Sequence, residues 1–127
     1  MIEPYEPSHM EGFRPIEHFE GVDWGPALRE QAMRGTAWTM FDNQSRVSGF
    51  IGFTPQGGSS VEVWSVLGVL FKPWQARSLK KIVNACMGQG FYKKLVMRVE
   101  EGYRPGEDLA RFLGFTKELQ HVWVRVR

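Results

Sequence analysis

Residues 61–71, VEVWSVLGVLF, constrain this chain more than any other stretch. Their first half alternates between apolar and polar residues, and their second half is apolar throughout. That is the pattern of a central strand, partly buried on both faces. Gly68 interrupts it and marks a candidate bulge. The period changes over residues 74–87. Leu79, Ile82, Val83, Cys86 and Met87 fall at i, i+3, i+4, i+7 and i+8, one face of a helix. Arg77, Lys80, Lys81 and Asn84 take the opposite face, and Gly88 and Gly90 end the helix. Residues 95–99, LVMRV, resume strand character. Strand, helix and strand in succession form a crossover, so the two strands are expected to run parallel.

The remaining elements follow from local signals. Residues 1–5 read as a strand start, placed at a sheet edge by Pro4. Ser8 with Glu11 forms a capping-box pattern for a short helix from His9 towards Phe19, bent near Pro15. Pro26 in a first turn, ALREQAM and Gly35 mark a second helix. Residues 36–41 and 46–53 are strands joined by the turn Asp42-Asn43-Gln44-Ser45, an antiparallel hairpin. Residues 55–60, PQGGSS, read as a loop. Residues 105–113 form a helix capped by Gly114, and residues 115–126 return to strand, as one strand or two. The predicted order is β-α-α-β-β-β-α-β-α-β: an α/β fold, a mixed sheet with helices on both faces.

A chain of 127 residues has room for one core, so residues 1–127 are expected to form a single domain. With 43% hydrophobic residues it is globular rather than disordered. The lone Cys86 excludes a disulfide framework and a thiolate zinc site, and His9, His18 and His121 show no metal-ligand spacing, so no metal is expected. Cys86 reads as a small buried hydrophobe rather than a nucleophile. Without a long apolar run or a signal peptide, the expected compartment is the cytoplasm, with no membrane partner. Charge is unevenly spread. Residues 1–62 carry four bases against nine acids, net −5, and residues 63–127 carry twelve bases against five acids, net +7. The basic half suits an anionic ligand, or else a solvated face.

The element order resembles the GCN5-related N-acetyltransferase (GNAT) fold. Residues 109–118, LARFLGFTKE, look like that family's final helix, its Leu-Gly-Phe turn and the strand after it. Gln75-Ala76-Arg77-Ser78-Leu79-Lys80 lies where the family carries Gln/Arg-x-x-Gly-x-Gly/Ala, and Trp74 matches an aromatic position just before it. More narrowly, GFYKKL at 90–95, GYRPG at 102–106 and ARFLGF at 110–115 resemble short GNAT-like proteins of bacteriophages, including the internal virion proteins of short-tailed phages.

The resemblance implies acetyl-coenzyme A as co-substrate. Its pyrophosphate would lie against the backbone of Gln75, Ala76, Arg77, Ser78, Leu79 and Lys80 at a helix N-terminus. Ser78 and Lys80 stand where the family has glycines, adding charge and a hydroxyl but also bulk. The peptide-like pantetheine arm would pair with the backbone of Val69, Leu70 and Phe71, whose side chains read as core. Acetyl transfer needs a base for the amine and an acid for the thiolate. The family's base position corresponds to Glu62, which alternation puts on one face with Trp64 and Val66. The residues by themselves favour an exposed charge at the strand start. The family's acid, a tyrosine, corresponds to Ala110, and Tyr92 and Tyr103 lie outside the motif.

Two functions therefore stand. One is an N-acetyltransferase acting on an unidentified amine or protein acceptor. The other is a GNAT-fold phage component that has lost catalysis and binds a phage or host protein, in the host cytoplasm or the virion, with aromatics such as Trp24 or Trp123 at the interface. Nucleic acid is the weaker partner. Lys72, Arg77, Lys80, Lys81, Lys93 and Lys94 form a basic set with no recognised module around them.

Overall fold

The computed structural model describes residues 2–16 and 24–126. His18 and the end of the helix predicted from His9 lie outside the described residues. Seven strands are hydrogen-bonded in the order β1-β2-β3-β4-β5-β7-β6: β1 (Ile2–Pro4), β2 (Thr36–Phe41), β3 (Val47–Gly57), β4 (Ser60–Leu67), β5 (Lys94–Arg98), β6 (Thr116–Leu119) and β7 (Val122–Val126). Among the described residues three α-helices accompany them: α1 (Trp24–Arg34), α2 (Pro73–Gly88) and α3 (Arg104–Phe112). The sheet is mostly antiparallel. The crossover β4–α2–β5 supplies the parallel pair, with Ser60 opposite Lys94, Val61 opposite Leu95 and Glu62 opposite Val96.

The chain divides into two compact units, Met1–Thr54 with Trp64–Lys72, and Pro55–Val63 with Pro73–Arg127. The first unit packs Phe13, Leu28, Val47, Phe50 and Val66 against Tyr5, Met10, Trp24, Phe41 and Trp64. The first helical segment is a 3-10 helix over Pro7–Gly12 rather than an α-helix begun by Ser8. Pro7 opens it with a preset φ, and the Glu6 N–H donates to His9 Nδ1 at 3.1 Å. The β2–β3 hairpin closes on Asp42, whose Oδ1 accepts the N–H groups of Gln44 and Arg46, both at 2.9 Å. Gln31, Thr54 and Trp64 form a polar chain beside the core. The Thr54 hydroxyl bonds the Gln31 side chain, and Trp64 Nε1 donates to Thr54 Oγ1 at 3.2 Å.

The second unit buries Val61, Val63, Leu79, Val83, Leu95, Met97, Leu113, Phe115 and Trp123. The stretch at residues 55–60 is not a loop. β3 runs on to Gly57, and Gly57 and Gly58, both at positive φ, turn the chain directly into β4. Leu113 caps α3 and Gly114 follows at φ 93°. The Phe115 N–H reaches the Ala110 carbonyl and the Gly114 N–H that of Arg111, both at 3.0 Å, which is a Schellman closure.

Candidate active site

Glu62 stands on β4 with its side chain 18% exposed. Its two oxygens are engaged from the strands on either side. Arg98 Nε on β5 donates to Oε2 at 3.0 Å, and Gln56 Nε2 on β3 donates to Oε1 at 3.2 Å. The carboxylate is therefore neither a bare surface charge nor a fully free base. It is the centre of a three-strand polar clamp inside one compact unit. Only tertiary pairing brings these residues together, since Gln56 and Arg98 lie 6 and 36 positions from Glu62. The one trace in the sequence is that Arg98 is the charged residue of the otherwise apolar run LVMRV at residues 95–99.

The expected strand over residues 61–71 stops at Leu67. Segment 13–16 crosses its end. Ile16 N–H donates to the Leu67 carbonyl, and Gly68 bridges Pro15. A Cβ at Gly68 would lie 2.7 Å from the Arg14 carbonyl oxygen and 2.8 Å from the Phe13 ring, so only glycine admits this crossing. Val69 and Leu70 form a turn rather than strand. The Val69 N–H is used by the Arg14 carbonyl at 2.9 Å and the Phe71 N–H by that of Gly68 at 3.1 Å. Two of the three backbone donors predicted for a pantetheine arm are thus already satisfied.

Gln75 to Lys80 occupy the first two turns of α2 and split between its faces. Gln75 and Leu79 are buried, in an i, i+4 stripe with Val83 and Met87. Arg77 is exposed, and Ala76, Ser78 and Lys80 are half-buried. The first turn carries no acid, and helix geometry leaves its N–H groups without intrahelical acceptors, Pro73 withholding one. Lys80 Nζ lies 4.8 Å from the centroid of the Phe112 ring. This end suits a phosphate in charge. The glycine cradle of the family pattern is absent, and Gln75 and Leu79 face the core.

Ala110 is fully buried. Tyr103, at the N-cap of α3, is half-buried, and burial, then the charge of Glu100, pushes its phenol above its usual range. Cys86 is half-buried, and desolvation raises its thiol. His9 is held by Thr39 Oγ1 at 2.7 Å, and His121 lies exposed in the β6–β7 turn. Among the described residues no group of His, Cys, Asp and Glu could hold a metal ion, and no helix is long and apolar enough to cross a membrane. An open depression beside the clamp is lined by Arg98, Val99, Glu100, Glu101, Gln120 and His121. Trp123 is not an exposed interface residue. It is 2% exposed and lies under Arg111, while Trp24 packs against the core of its unit. Among the described residues the exposed aromatics are instead Phe91, Phe112 and Trp74.

No protein-family model and no curated protein matches this sequence. Solved structures match along its whole length. An acetyltransferase from Streptococcus agalactiae superposes with a TM-score of 0.76 at 12% identity, covering 100% of this chain and 98% of that one. A spermidine N-acetyltransferase from Vibrio cholerae, in complex with CoA and spermine, gives 0.73 at 11% identity, covering 99% and 94%. The class these similarities define is one of fold: a mixed, mostly antiparallel sheet with the β4–α2–β5 crossover. The chain has the GNAT fold.

Proposed function

We propose that this protein is an N-acetyltransferase that takes an acetyl group from acetyl-CoA and passes it to an amine. The observation that carries this reading is Glu62, a sparsely exposed carboxylate on β4, the strand that feeds the crossover helix. The acid-free N-terminus of α2, with Arg77, Ser78 and Lys80, would hold the phosphates of acetyl-CoA. Bound there, acetyl-CoA supplies a thioester carbonyl as electrophile. Glu62 takes the proton that the amine must lose, directly or through a water. The amine nitrogen then bonds the carbonyl carbon, the carbon–sulfur bond breaks, and the leaving thiolate takes a proton from solvent, because Ala110 offers none. The reading places the protein where acetyl-CoA is found, in the cytoplasm.

A second reading is supported by the occupied N–H groups of Val69 and Phe71 and by Ala110. It is a GNAT-fold protein without catalysis, of the bacteriophage type, binding a phage or host protein. Calorimetry separates the two. Titration with CoA should give saturable heat that weakens in R77A/K80A, and acetyl-CoA with spermidine should release thiol. Absence of heat at millimolar CoA, with the protein folded, rejects the transferase.

A further inference from the structure

We propose that Arg98 is an internal competitor for the acceptor site: its guanidinium occupies the place on Glu62 that the substrate's ammonium must take. The inference rests on the transferase reading and adds to it the recognition of a cationic amine by ion-pair exchange.

The geometry is specific. Each oxygen of Glu62 already accepts one hydrogen bond, from Gln56 at 3.2 Å and from Arg98 at 3.0 Å. Gln56 is neutral, so Arg98 supplies the counter-charge. The Glu62 side chain is 18% exposed, and an arriving ammonium meets a carboxylate whose accessible flank is already taken by a cation. Arg98 is 53% exposed, and an ion pair with one partner in solvent is held weakly, so it opens at small cost. The released guanidinium also has somewhere to go. Arg98 also lines the open depression at the end of β5, whose rim carries the acidic side chains of Glu100 and Glu101, the latter 3.8 Å from Lys117. The clamp therefore has two arrangements, with Arg98 on Glu62 when the amine is absent and Arg98 turned towards the depression when an ammonium is paired with Glu62. In this scheme Gln56 is a positioning residue that keeps the carboxylate oriented through the exchange.

The test measures amine binding and turnover separately. Spermidine and n-butylamine are titrated into the CoA-bound protein by NMR, for wild type, R98M, R98K, E62Q and R98M/E62Q. R98M keeps the aliphatic stem and removes the charge. It should bind both amines about two- to fivefold more tightly, the scale of one exposed ion pair. R98K should stay near wild type. In the E62Q background the Arg98 effect should vanish, because the cycle isolates the pair. In turnover, R98M should lower KM for the amine. The proposal is overturned if R98M binds amines no more tightly than wild type, if the tightening persists without Glu62, or if no variant binds an amine. Should R98M fail to fold, R98Q carries the same comparison. Failure of the transferase reading looks different: the binding cycle holds and no variant transfers acetyl.

Discussion

A Cβ at Gly52 would run into the indole of Trp64, whose Nε1 is tied to Thr54 at 3.2 Å and cannot swing away freely. Gly58 differs: its φ is 58°, but a Cβ there would meet nothing within 4 Å. A strand glycine and a turn glycine are thus required for different reasons, close packing and backbone conformation. G52A should lose about 2–3 kcal/mol by urea unfolding, and G58A about 1 kcal/mol. Equal losses would mean that both the Trp64 ring and the Thr36 carbonyl, 2.5 Å from the same Cβ, give way. Asp42 gives a pH-dependent case. Backbone N–H bonding from Arg46 first, then Gln44 and the Arg46 side chain, holds its carboxyl below the usual range. A group depressed in the folded state stabilises fully above its unfolded value, about pH 4, and loses that contribution as pH falls through the folded one. The stability gap between wild type and D42N should therefore be present at pH 6 and close below pH 4.

At the scale of elements, the outer edge of the sheet is β6, and all four of its residues are exposed. An open edge invites pairing with another chain. An antiparallel pair related by a two-fold axis sets a residue opposite its own copy, so self-pairing of Thr116–Leu119 would oppose Lys117 to Lys117 or Glu118 to Glu118. Both residues already have intrachain partners, Lys117 near Glu101 and Glu107 and Glu118 near Lys94, at 3.8–3.9 Å. The edge is guarded by charge. K117V/E118V should associate at concentrations where wild type elutes with a single smaller species on size exclusion. Unchanged elution would show that strand length alone protects the edge. The elements themselves were largely legible beforehand. The hairpin at residues 36–53, helix α2 and the Gly114 closure all follow from local turn and periodicity signals. The loop predicted over residues 55–60 became the β3–β4 turn because Gly57 and Gly58 accept positive φ, a Gly-Gly hairpin signal that the neighbouring Pro55 obscured.

Over the whole molecule, three of the twelve bases of the +7 half gather on the crossover helix. Arg77, Lys80 and Lys81 lie on α2, which has no acidic residue. If those charges hold CoA phosphates, affinity for CoA should fall about tenfold between 50 and 500 mM salt, as phosphate pairing at a solvent-facing site is screened. A salt-independent affinity would place the phosphates elsewhere. The candidate site was only half readable. Glu62 is reached through the family resemblance, its residues alone favouring an exposed charge, whereas Gln56 and Arg98 are silent, because strand register is a property of the sheet and not of any one strand.

What the sequence determined alone is what short-range physics can fix: hydrophobic period, helix ends, turn residues, and a crossover whose length makes its strands parallel. What only the tertiary structure decided is how distant segments use each other's polar groups. Segment 13–16 ends β4 at Leu67 and takes up the Val69 N–H, and three strands turn a lone glutamate into a clamped ion pair. Backbone donors and carboxylates accept whichever partner the fold brings within 3 Å or so, and that choice is written in no local pattern.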